Sequence, residues 1–374
     1  MRVLHVVAHL DQVASYGGPA RVAEAQADLL ANAGVDVTLV GSSGGPHQDS
    51  CSRGSGAKIV RLPGRFLAGR SRYLGLVSPD LVAYVRRSSA RFDVVHVHMA
   101  RDFVTLSAAA AVSAATLVVQ THGMHQVANR LATALLGHRV DDVLSRASVV
   151  LALTEEERRI FVERGVPPER VVTHPNFTRI PTVESFREPS ATPQVLFLSR
   201  LHARKRPLMF IEAAALVAPR IPAAKFVLVG PDGGEAKRCL SRIAALGVED
   251  SVSWQGPARD FELTGVLDAS AIYVHSARDE PFGLTIIEAL ARGVPVVVTE
   301  SAALAPILRK WRAGTVVGDS AAAIASGVSE LLQDPALAQS QVRNGLALVT
   351  DRFSGDAQRA LLLSHYQQRA SPLV

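Results

Sequence analysis

The fold is decided by the N-terminal stretch Val3-Leu4-His5-Val6-Val7-Ala8, which is followed by the loop Ser15-Tyr16-Gly17-Gly18-Pro19 and the run Val35–Val40. The two outer runs are almost continuously apolar, as strands buried on both faces of a parallel sheet are. The segment between them carries apolar residues at helical spacing, namely Val22, Ala25, Leu29 and Leu30. A proline suits the first turn of that helix and Gly34 suits its end. The stretch therefore predicts a strand–helix–strand unit.

The same alternation continues along the chain. In the first half, further strands are predicted near residues 58–62, 93–97, 116–120 and 148–152. In the second half, they are predicted at Val195–Leu198, Lys225–Val229, Ser251–Trp254, Ala271–Val274, Val294–Val298 and Thr315–Val317. The proline-rich segment Pro175–Pro193 has no clear periodicity and separates the halves, as a linker does. We therefore expect an α/β protein with two doubly wound, Rossmann-like parallel sheets.

These patterns also predict the domain boundaries. We expect an N-terminal domain over 1–180, a linker over 181–193, a second domain over 194–352, and a C-terminal helix over 353–374 that can pack back on the N-terminal domain. In doubly wound sheets, ligands bind beyond the carboxyl ends of the strands. Two such sheets facing each other would place a site in the cleft between them, formed by loops that follow strands.

Composition excludes several classes of protein. At ~150 residues per domain, 374 residues suggest two or three domains. Hydrophobic residues are 48% and charged residues 20%, which excludes a disordered chain. The net charge of +6 is too small at this length to indicate nucleic-acid binding, although a basic face toward anionic substrates or a membrane stays open. Cys51 and Cys239 fit neither a disulfide framework nor a zinc knuckle, and they indicate a reducing, cytoplasmic compartment.

No targeting segment is expected, because the apolar run at the start is too short for a signal peptide and Asp11 soon follows it. The segment Phe103–Gln120 is uncharged over 18 residues, near the lower length of a membrane span. It consists mostly of alanine, serine and threonine, so we interpret it as a buried helix at about 105–114 followed by the strand Thr116–Gln120. A membrane span is the alternative.

Two glycines, Gly17 and Gly18, follow the first strand and precede a helix. Glycine lets the backbone approach a ligand, and a helix N-terminus offers N–H groups to an anion. The spacing matches neither the dinucleotide fingerprint nor a P-loop, and an ordinary tight turn is the alternative.

The second half carries two cations after its first strand. Arg200 follows Val195–Leu198 almost directly, and Lys205 is one of only five lysines among 40 basic residues. Two cations at a strand end can bind a diphosphate and neutralise the charge that develops on it as a leaving group. The alternative is a solvated basic loop, which is our interpretation of the neighbouring Arg204 and Arg206.

The segment Glu280-Pro281-Phe282-Gly283-Leu284-Thr285-Ile286-Ile287-Glu288 places two carboxylates around a helix start. We predict that the helix begins at about Phe282–Leu284, where the N–H groups of Phe282, Gly283 and Leu284 could meet a phosphate. Glu288 has apolar neighbours and needs a partner, such as the two vicinal hydroxyls of a ribose. The alternative is that Glu280 caps the helix and Glu288 pairs with an arginine.

Histidines cluster at strand ends in the first half. His96 and His98 share one face of a strand, and Thr121-His122-Gly123 follows the next strand, with His125 beyond it. Together with Asp102, His96 and His98 could mark a metal hydrolase, which needs further ligands at the later strand ends of a barrel. Candidates for such ligands are His174 and His275. Neutral histidines that bind no metal are the other interpretation, and we favour it for His96 and His98.

Together these motifs resemble the retaining glycosyltransferases of family 4, which have the GT-B fold of two Rossmann-like domains. The most specific part is Glu280-Pro281-Phe282-Gly283 with Glu288-Ala289, followed by Gly293-Val294-Pro295-Val296-Val297. The remaining matches occur in the right order along nearly the whole chain. They are the Gly17-Gly18 loop, Asp93–His98, Thr121–Gly123, Leu151–Glu155, and the spacing of Arg200 to Lys205.

The resemblance implies a nucleoside-diphosphate sugar, such as a UDP- or GDP-sugar, bound mainly by the second domain, and an acceptor bound by the first. Arg200 and Lys205 would hold the diphosphate, Glu288 the ribose and Glu280 the donor sugar. His122 would line the sugar site and completes this catalytic set. Other donor contacts would come from Gly17, Gly18, Gly230, Gln255, Phe282, Gly283 and Leu284.

The resemblance implies no metal and no other cofactor. The sequence agrees, because it contains no Asp-x-Asp motif. The nearest match, Asp260-Phe261-Glu262, is interpreted as a helix start. The family often has Asn-Gly after a proline at the linker, whereas this chain has Asn176-Phe177. We therefore assign no binding role to Asn176.

The first domain carries an arginine-rich segment with apolar residues between the arginines. Against the single acid Asp80, its cations are Arg61, Arg65, Arg70, Arg72, Arg86, Arg87 and Arg91. Such a segment can hold an anionic acceptor or an anionic membrane surface, although it is also typical of a solvated face. We hypothesise a lipid-linked acceptor in envelope, polysaccharide or glycolipid synthesis, met at the cytoplasmic face of the membrane. The alternatives are a soluble small-molecule or natural-product acceptor, the metal hydrolase, and a non-catalytic sugar-nucleotide-binding protein.

Overall fold

The computed structural model describes residues 1–10, 17–51, 56–66, 75–99, 102–123, 130–177, 182–183, 191–259 and 262–370. The chain divides into two compact units. The first comprises Met1–Asn176 together with Gly355–Val374, and the second comprises Phe177–Ser354. Most of the proposed linker, 181–193, and the expected helix start at Asp260-Phe261 lie outside the described residues.

The first unit contains an eight-stranded sheet and a small two-stranded hairpin. Its strands are β1 (Arg2–His9), β2 (Asp36–Ser43), β3 (Gln48–Cys51), β4 (Lys58–Pro63), β5 (Arg65–Phe66), β6 (Leu76–Val77), β7 (Val94–His98), β8 (Thr116–Gln120), β9 (Val149–Ala152) and β10 (Val171–Thr173). β5 pairs with β6, and the large sheet has the order β10-β9-β8-β7-β1-β2-β4-β3, parallel except for β3. The chain order reverses between β1 and β7, so the topological switch point lies at their carboxyl ends.

Helices cover both faces of this sheet. They are α1 (Gly17–Asn32), α2 (Pro79–Ser88), α3 (Phe103–Ala110), α4 (Arg130–Arg146), α5 (Glu155–Glu163) and, from the end of the chain, α13 (Gly355–Ala370). The strands alternate between two apolar cores, because Leu4 and Val6 pack in one while Val3 and Val7 pack in the other. The core around Val3 also contains Tyr366 of α13. His5 has the same parity as Val3 and therefore points to the α13 side of the sheet.

The second unit contains a six-stranded, fully parallel sheet with helices around it. Its strands are β11 (Gln194–Leu198), β12 (Lys225–Val229), β13 (Val252–Trp254), β14 (Ile272–His275), β15 (Val296–Thr299) and β16 (Thr315–Val317). Its helices are α6 (Pro207–Val217), α7 (Ala236–Leu246), α8 (Leu263–Asp268), α9 (Leu284–Ala291), α10 (Ala305–Trp311), α11 (Ala321–Gln333) and α12 (Pro335–Leu348). The order β13-β12-β11-β14-β15-β16 is that of a Rossmann fold, with its switch point between β11 and β14.

The two predicted doubly wound sheets are confirmed, and the differences are local. β3 was not predicted because it is a polar edge strand, and β5 and β6 have only two residues each. The barrel required by the metal-hydrolase hypothesis is wrong, since both large sheets are open with distinct edge strands. No helix among the described residues is long and apolar enough to span a membrane, and Phe103–Gln120 instead contains the short helix α3 and β8.

Candidate functional site

The switch point of the second unit brings three predicted site residues together. Arg200 follows β11, Lys205 lies in a short 3-10 turn just beyond it, and Glu280 follows β14, the neighbouring strand. Lys205 Nζ and Glu280 Oε2 form an ion pair, with side-chain exposures of 29% and 16%. The pair is therefore only partly screened by solvent and lies where Rossmann folds bind ligands.

The charge on Glu280 is maintained by this pairing. Burial raises the pKa of Glu280, but Lys205, His275 and Arg204 together outweigh burial, and the net pKa lies below the usual range. Glu280 is therefore ionised at neutral pH. A ligand that bears a diphosphate can compete for Lys205, which would leave the carboxylate to accept hydrogen bonds from hydroxyl groups.

The interpretation of Arg206 as part of a solvated basic loop is wrong. Its guanidinium donates to the carbonyl oxygens of Ser276 and Ala277, to the side chain of Thr299 at the end of β15, and to that of Ser301 just beyond it. It also pairs with Asp319 at 2.8 Å. Arg206 therefore joins the loops after β14, β15 and β16 to the lysine-bearing turn. Arg204 differs, since it is exposed and donates to the carbonyl oxygen of Asp279.

Two glycines let the backbone pass closely around Arg200. A Cβ on Gly230 would lie 2.0 Å from the carbonyl oxygen of Ser199, and its φ of +149° is itself unfavourable for other residues. A Cβ on Gly233 would lie 2.7 Å from Cγ of Arg200. The Arg200 side chain is exposed and forms no ion pair within the described part of the chain. It is thus held by its stem and has a free cationic end.

In the segment that carries both glutamates, the helix begins too late for Glu280 to cap it, as the alternative interpretation required. α9 begins at Leu284, and its N-cap is Gly283 with φ +87°, so Glu280 does not cap it. Phe282 is buried edge-to-face against Phe353, 5.9 Å between ring centroids, which anchors the turn. Glu288 lies in the second turn of α9 and is buried. The helix N-terminus is therefore next to Glu280, with Glu288 one turn further along.

The predicted donor contact Gln255 lies at the end of β13, the strand beside β12. Gln255 follows β13, its backbone N–H donates to the carbonyl oxygen of Leu228, and its side chain is exposed. The next residue, Gly256, accepts a hydrogen bond from the N–H of Gly230 at 2.7 Å. The exposed Gln255 loop and the loop beside Arg200 are thus tied together by backbone.

His122 belongs to the first unit and has a strained backbone. Its φ is +53°, in the left-handed region, and Gly123 follows with φ +74°. A histidine rarely adopts this conformation, and such strain is concentrated at functional sites. Gly17 and Gly18 lie in the first turn of α1 in the same unit. The residues just before Gly17 lie outside the described part of the chain, and so does His125.

Glu157 holds the His122 loop and was not predicted. This buried carboxylate accepts hydrogen bonds from Thr121 Oγ1 at 2.5 Å, Gly123 N at 3.3 Å and Leu153 N at 2.6 Å. The available signal was Thr154-x-x-Glu157, because a threonine N-cap followed by glutamate marks a helix start. Here the side chain of Glu157 also accepts hydrogen bonds from the neighbouring loop, at Thr121 and Gly123.

A chain of buried imidazoles lies behind His122. His122 Nε2 is 2.9 Å from His98 Nδ1, and His98 Nε2 is 2.9 Å from His5 Nδ1. Burial lowers the pKa of His122 to about 4 and that of His5 to about 3, and it holds the pKa of His98 well below its usual value. These histidines are therefore neutral at physiological pH.

His5, His96 and His98 are also close enough to suggest a metal centre, because their nitrogens lie within 4.8 Å of one another. Two of the three ring pairs are stacked, however, with interplanar angles of 22° between His96 and His98 and 26° between His5 and His98, while His5 and His96 are tilted by 48°. Nitrogens on stacked rings point side by side, whereas metal ligands converge on one point. The hydrogen-bonded arrangement fits this geometry better.

The arginine-rich segment is described only in part. Arg65 and Phe66 form β5 and are exposed, as are Arg86, Arg87 and Arg91 at the end of α2 and just beyond it. Arg61 is partly buried and donates to Ser50 at 2.9 Å, so it stabilises the sheet edge. Arg70 and Arg72 lie outside the described residues.

Comparison with known proteins gives matches over both units. The family model "Glycosyl transferase 4-like domain" matches residues 17–176, and the model "Glycosyl transferases group 1" matches residues 181–347. The D-inositol 3-phosphate glycosyltransferase of Arthrobacter sp. strain FB24 is 26% identical over 94% of this chain and 90% of its own length. The mannosylfructose-phosphate synthase of Agrobacterium fabrum is 37% identical over 28% of this chain and 25% of its own length.

Solved structures show a similar fold. Sucrose-phosphate synthase from Thermosynechococcus elongatus superposes with a TM-score of 0.74 at 22% identity, over 98% of each chain. Anabaena HepE in complex with UDP-glucose also has a TM-score of 0.74, at 18% identity, over 98% of this chain and all of its own.

Proposed function

The chain belongs to the glycosyltransferases of family 4, and from that premise we propose that it is a retaining enzyme that works without a metal ion. It moves a sugar from a nucleotide sugar to an acceptor. The observation that best supports the proposal is the Lys205–Glu280 ion pair at the switch point of the second unit. It holds a cation ready for a departing diphosphate and a carboxylate for the sugar.

In the proposed mechanism, the donor diphosphate replaces Glu280 as the ion-pair partner of Lys205. The guanidinium of Arg200 binds the other side of the diphosphate. The two cations neutralise the charge that develops as the bond from the sugar to the phosphate breaks. Glu280, released from Lys205, accepts hydrogen bonds from hydroxyls of the sugar. Glu288 holds the ribose, and His122 contacts the sugar. The acceptor proton goes to the leaving phosphate, since no residue is assigned as a dedicated base.

Metal independence follows from this assignment. Two side-chain cations supply the charge that a divalent ion supplies in other transferases. Activity should therefore persist in excess EDTA. Loss of activity in EDTA that magnesium or zinc restores would overturn this part of the proposal.

Two measurements test the proposal: the anomeric configuration of the product, and the effect of replacing Lys205 on kcat. Proton NMR of the initial product should show the anomer of the donor, and an inverted product would refute retention. Lys205→Ala should lower kcat by about 10²–10³, because it removes a contact that is strongest in the transition state. Lys237→Ala, an exposed lysine in α7 of the same unit, is the matched control and should not change kcat.

For the donor we propose a UDP- or GDP-sugar. Anabaena HepE is solved with UDP and with UDP-glucose, which favours uridine as the first base to test. For the acceptor we propose a glycan or glycolipid of envelope or polysaccharide synthesis, or a phosphate-bearing small molecule, as the name of the Arthrobacter relative suggests. A non-catalytic sugar-nucleotide sensor would bind the donor but neither transfer the sugar nor slowly hydrolyse the donor.

We further propose peripheral contact of the first unit with the cytoplasmic face of an anionic membrane. The support is the exposed pair Arg65–Phe66 within the arginine-rich segment. Each arginine near an anionic surface contributes ~1 kcal/mol, screened by salt. Binding to vesicles should rise with anionic lipid, fall steeply with salt, and disappear when Arg65, Arg70 and Arg72 are neutralised together. Wild-type protein that ignores anionic vesicles at low salt would leave a soluble acceptor as the better proposal.

A further inference from the structure

The proposed transfer chemistry uses His122 but not the buried polar groups behind it. These groups form a continuous path through the first unit, from α13 to the strained His122 loop. Tyr366 of α13 has its hydroxyl 2.7 Å from His96 Nδ1 and 3.4 Å from His5 Nε2. His5 then reaches His98, and His98 reaches His122, each across 2.9 Å. We call Tyr366, His5, His98 and His122, with His96 as a side branch, the histidine chain.

Every member of the histidine chain is buried, and burial keeps the imidazoles neutral. A neutral imidazole has one N–H donor and one acceptor nitrogen. Where one ring donates to the next, the tautomer of each ring is therefore dictated by its neighbour. The whole chain has only two possible senses. Either His5, His98 and His122 all carry their proton on Nδ1, or all carry it on Nε2.

The ends of the histidine chain distinguish these two senses. His96 Nε2 and His122 Nδ1 are buried and have no hydrogen-bond partner in the described part of the protein. In the Nε2–H sense, Tyr366 donates to His96 Nδ1 and leaves a buried N–H on His96 Nε2 without an acceptor. In the Nδ1–H sense, His96 donates to Tyr366 and Tyr366 donates to His5, which leaves a lone pair on His96 Nε2 and the unpaired N–H on His122 Nδ1. Each sense therefore leaves one buried N–H without a partner, and an unsatisfied buried N–H is costly. Only the N–H on His122 lies at the end of the histidine chain that the proposed function places against the donor, so an oxygen of the bound donor can accept it and favours the Nδ1–H sense.

We propose that Tyr366, His5 and His98 are positioning residues that hold His122 in its Nδ1–H tautomer, so that it meets the donor as a hydrogen-bond donor. This rests on the proposed function, in which His122 lines the sugar site. The chemical partner of that N–H is an oxygen, either a sugar hydroxyl or a phosphate oxygen. Glu157 fixes the loop backbone and the histidine chain fixes the ring, so the two devices are complementary.

The direct test is proton–nitrogen correlation NMR of protein labelled at histidine nitrogens, at neutral pH and with UDP-glucose or, if that does not bind, a GDP-sugar bound. His122 is assigned by the loss of its signals in His122→Asn. The expected result is a single tautomer of His122 with its proton on Nδ1. A proton on Nε2, or an exchanging mixture of tautomers, in the donor-bound wild type overturns the proposal.

Two variants of His98 separate positioning from mere packing. Asparagine places its amide near Nδ1 of the lost ring and can still bond His122, whereas glutamine places its amide near Nε2 and cannot. His98→Gln should give mixed His122 tautomers and lower kcat by about 10–100-fold, as the loss of a residue that orients a metal-ligating histidine does in metal sites. His98→Asn should restore both the tautomer and most of kcat. Equal effects of the two variants on kcat, or an unchanged His122 tautomer in His98→Gln, contradict a positioning role.

The outcomes also separate this proposal from the proposed function. If no sugar is transferred but the His122 tautomer follows the His98 variants as stated, the histidine chain stands and the assigned chemistry fails. If transfer occurs while His122 lacks the Nδ1 proton, the histidine chain fails. Titration with zinc alone serves as a third test, because stoichiometric zinc that shifts the His5, His96 and His98 signals would show a metal site instead.

Discussion

Replacement of Glu157 by glutamine is the sharpest structural test of the His122 loop. Among the described contacts, the carboxylate accepts from three donors: Thr121 Oγ1, Gly123 N and Leu153 N. An amide has one oxygen, so whichever way it turns, at least one buried N–H or O–H faces an NH₂ group. The substitution preserves volume and removes the negative charge, which isolates the hydrogen bonds from packing.

The expected cost follows from these contacts. A hydrogen bond to a charged group contributes about 1.5–3 kcal/mol, and a buried donor left without a partner costs about 1–3 kcal/mol. One lost contact at Leu153 or Gly123, together with the weakening of the others, gives about 2–4 kcal/mol. For a domain of about 150–250 residues, each kcal/mol lowers Tm by about 2–4 °C. Glu157→Gln should therefore lower the Tm of the first unit by roughly 5–15 °C.

The assay is thermal unfolding by circular dichroism, with Glu156→Gln as the matched control. Glu156 lies in the same first turn of α5 but is exposed, so it shares the favourable helix-dipole position and lacks the loop contacts. Its replacement should cost less than about 1 kcal/mol. Equal Tm changes for the two variants would refute the role assigned to Glu157.

Three further predictions concern the other described groups. Glu288→Gln should weaken binding of the bare nucleoside diphosphate, measured by calorimetry, while Glu280→Gln should leave that affinity nearly intact and mainly lower kcat; equal losses of affinity would contradict the two roles. Gly230→Ala should cost more than about 3 kcal/mol, because its Cβ would lie 2.0 Å from a backbone oxygen, whereas Gly234→Ala, with φ +105° and open space around it, should cost only about 1–2 kcal/mol in chemical unfolding. Buried histidines should make the first unit acid-labile, because the folded pKa values of His5, His122, His174 and His365 are about 3 to 4 and lie below the unfolded value of 6.5. The free energy of unfolding is therefore fully present above pH 6.5. It falls by about 1.4 kcal/mol per pH unit for each histidine as pH decreases toward 4. A Tm that is constant between pH 7.5 and 5 would contradict this.

The sequence predicts the architecture well because buried parallel strands leave a strong local signal. Short apolar runs such as Val3–Ala8 and Lys225–Val229 are typical of buried strands. The neighbouring strands β11 and β14 then bring Arg200, Lys205 and Glu280 to one edge of the sheet. That part of the candidate site follows from local pattern plus strand order.

The remaining features depend on contacts between distant residues, which local pattern does not encode. His5 reads as one polar residue within an apolar strand, and its partner Tyr366 lies 361 positions away. Arg206 resembles Arg204 in sequence, yet only Arg206 turns inward, because its left-handed backbone directs it to three strand ends.

The central claim is that a nucleoside diphosphate is held by cations at the β11–β14 switch point. It is tested most directly by thermal shift with UDP, GDP and ADP on wild type, Lys205→Ala and Lys237→Ala. A ligand at 100 times its Kd adds about 2.7 kcal/mol, which is a shift of several degrees. Comparing each variant with and without nucleotide cancels any loss of stability from the unpaired Glu280. We expect UDP or GDP to raise Tm of wild type and Lys237→Ala equally and to raise that of Lys205→Ala much less. If none of the three nucleotides shifts the wild type, or if Lys205→Ala responds as fully as Lys237→Ala, the account is contradicted.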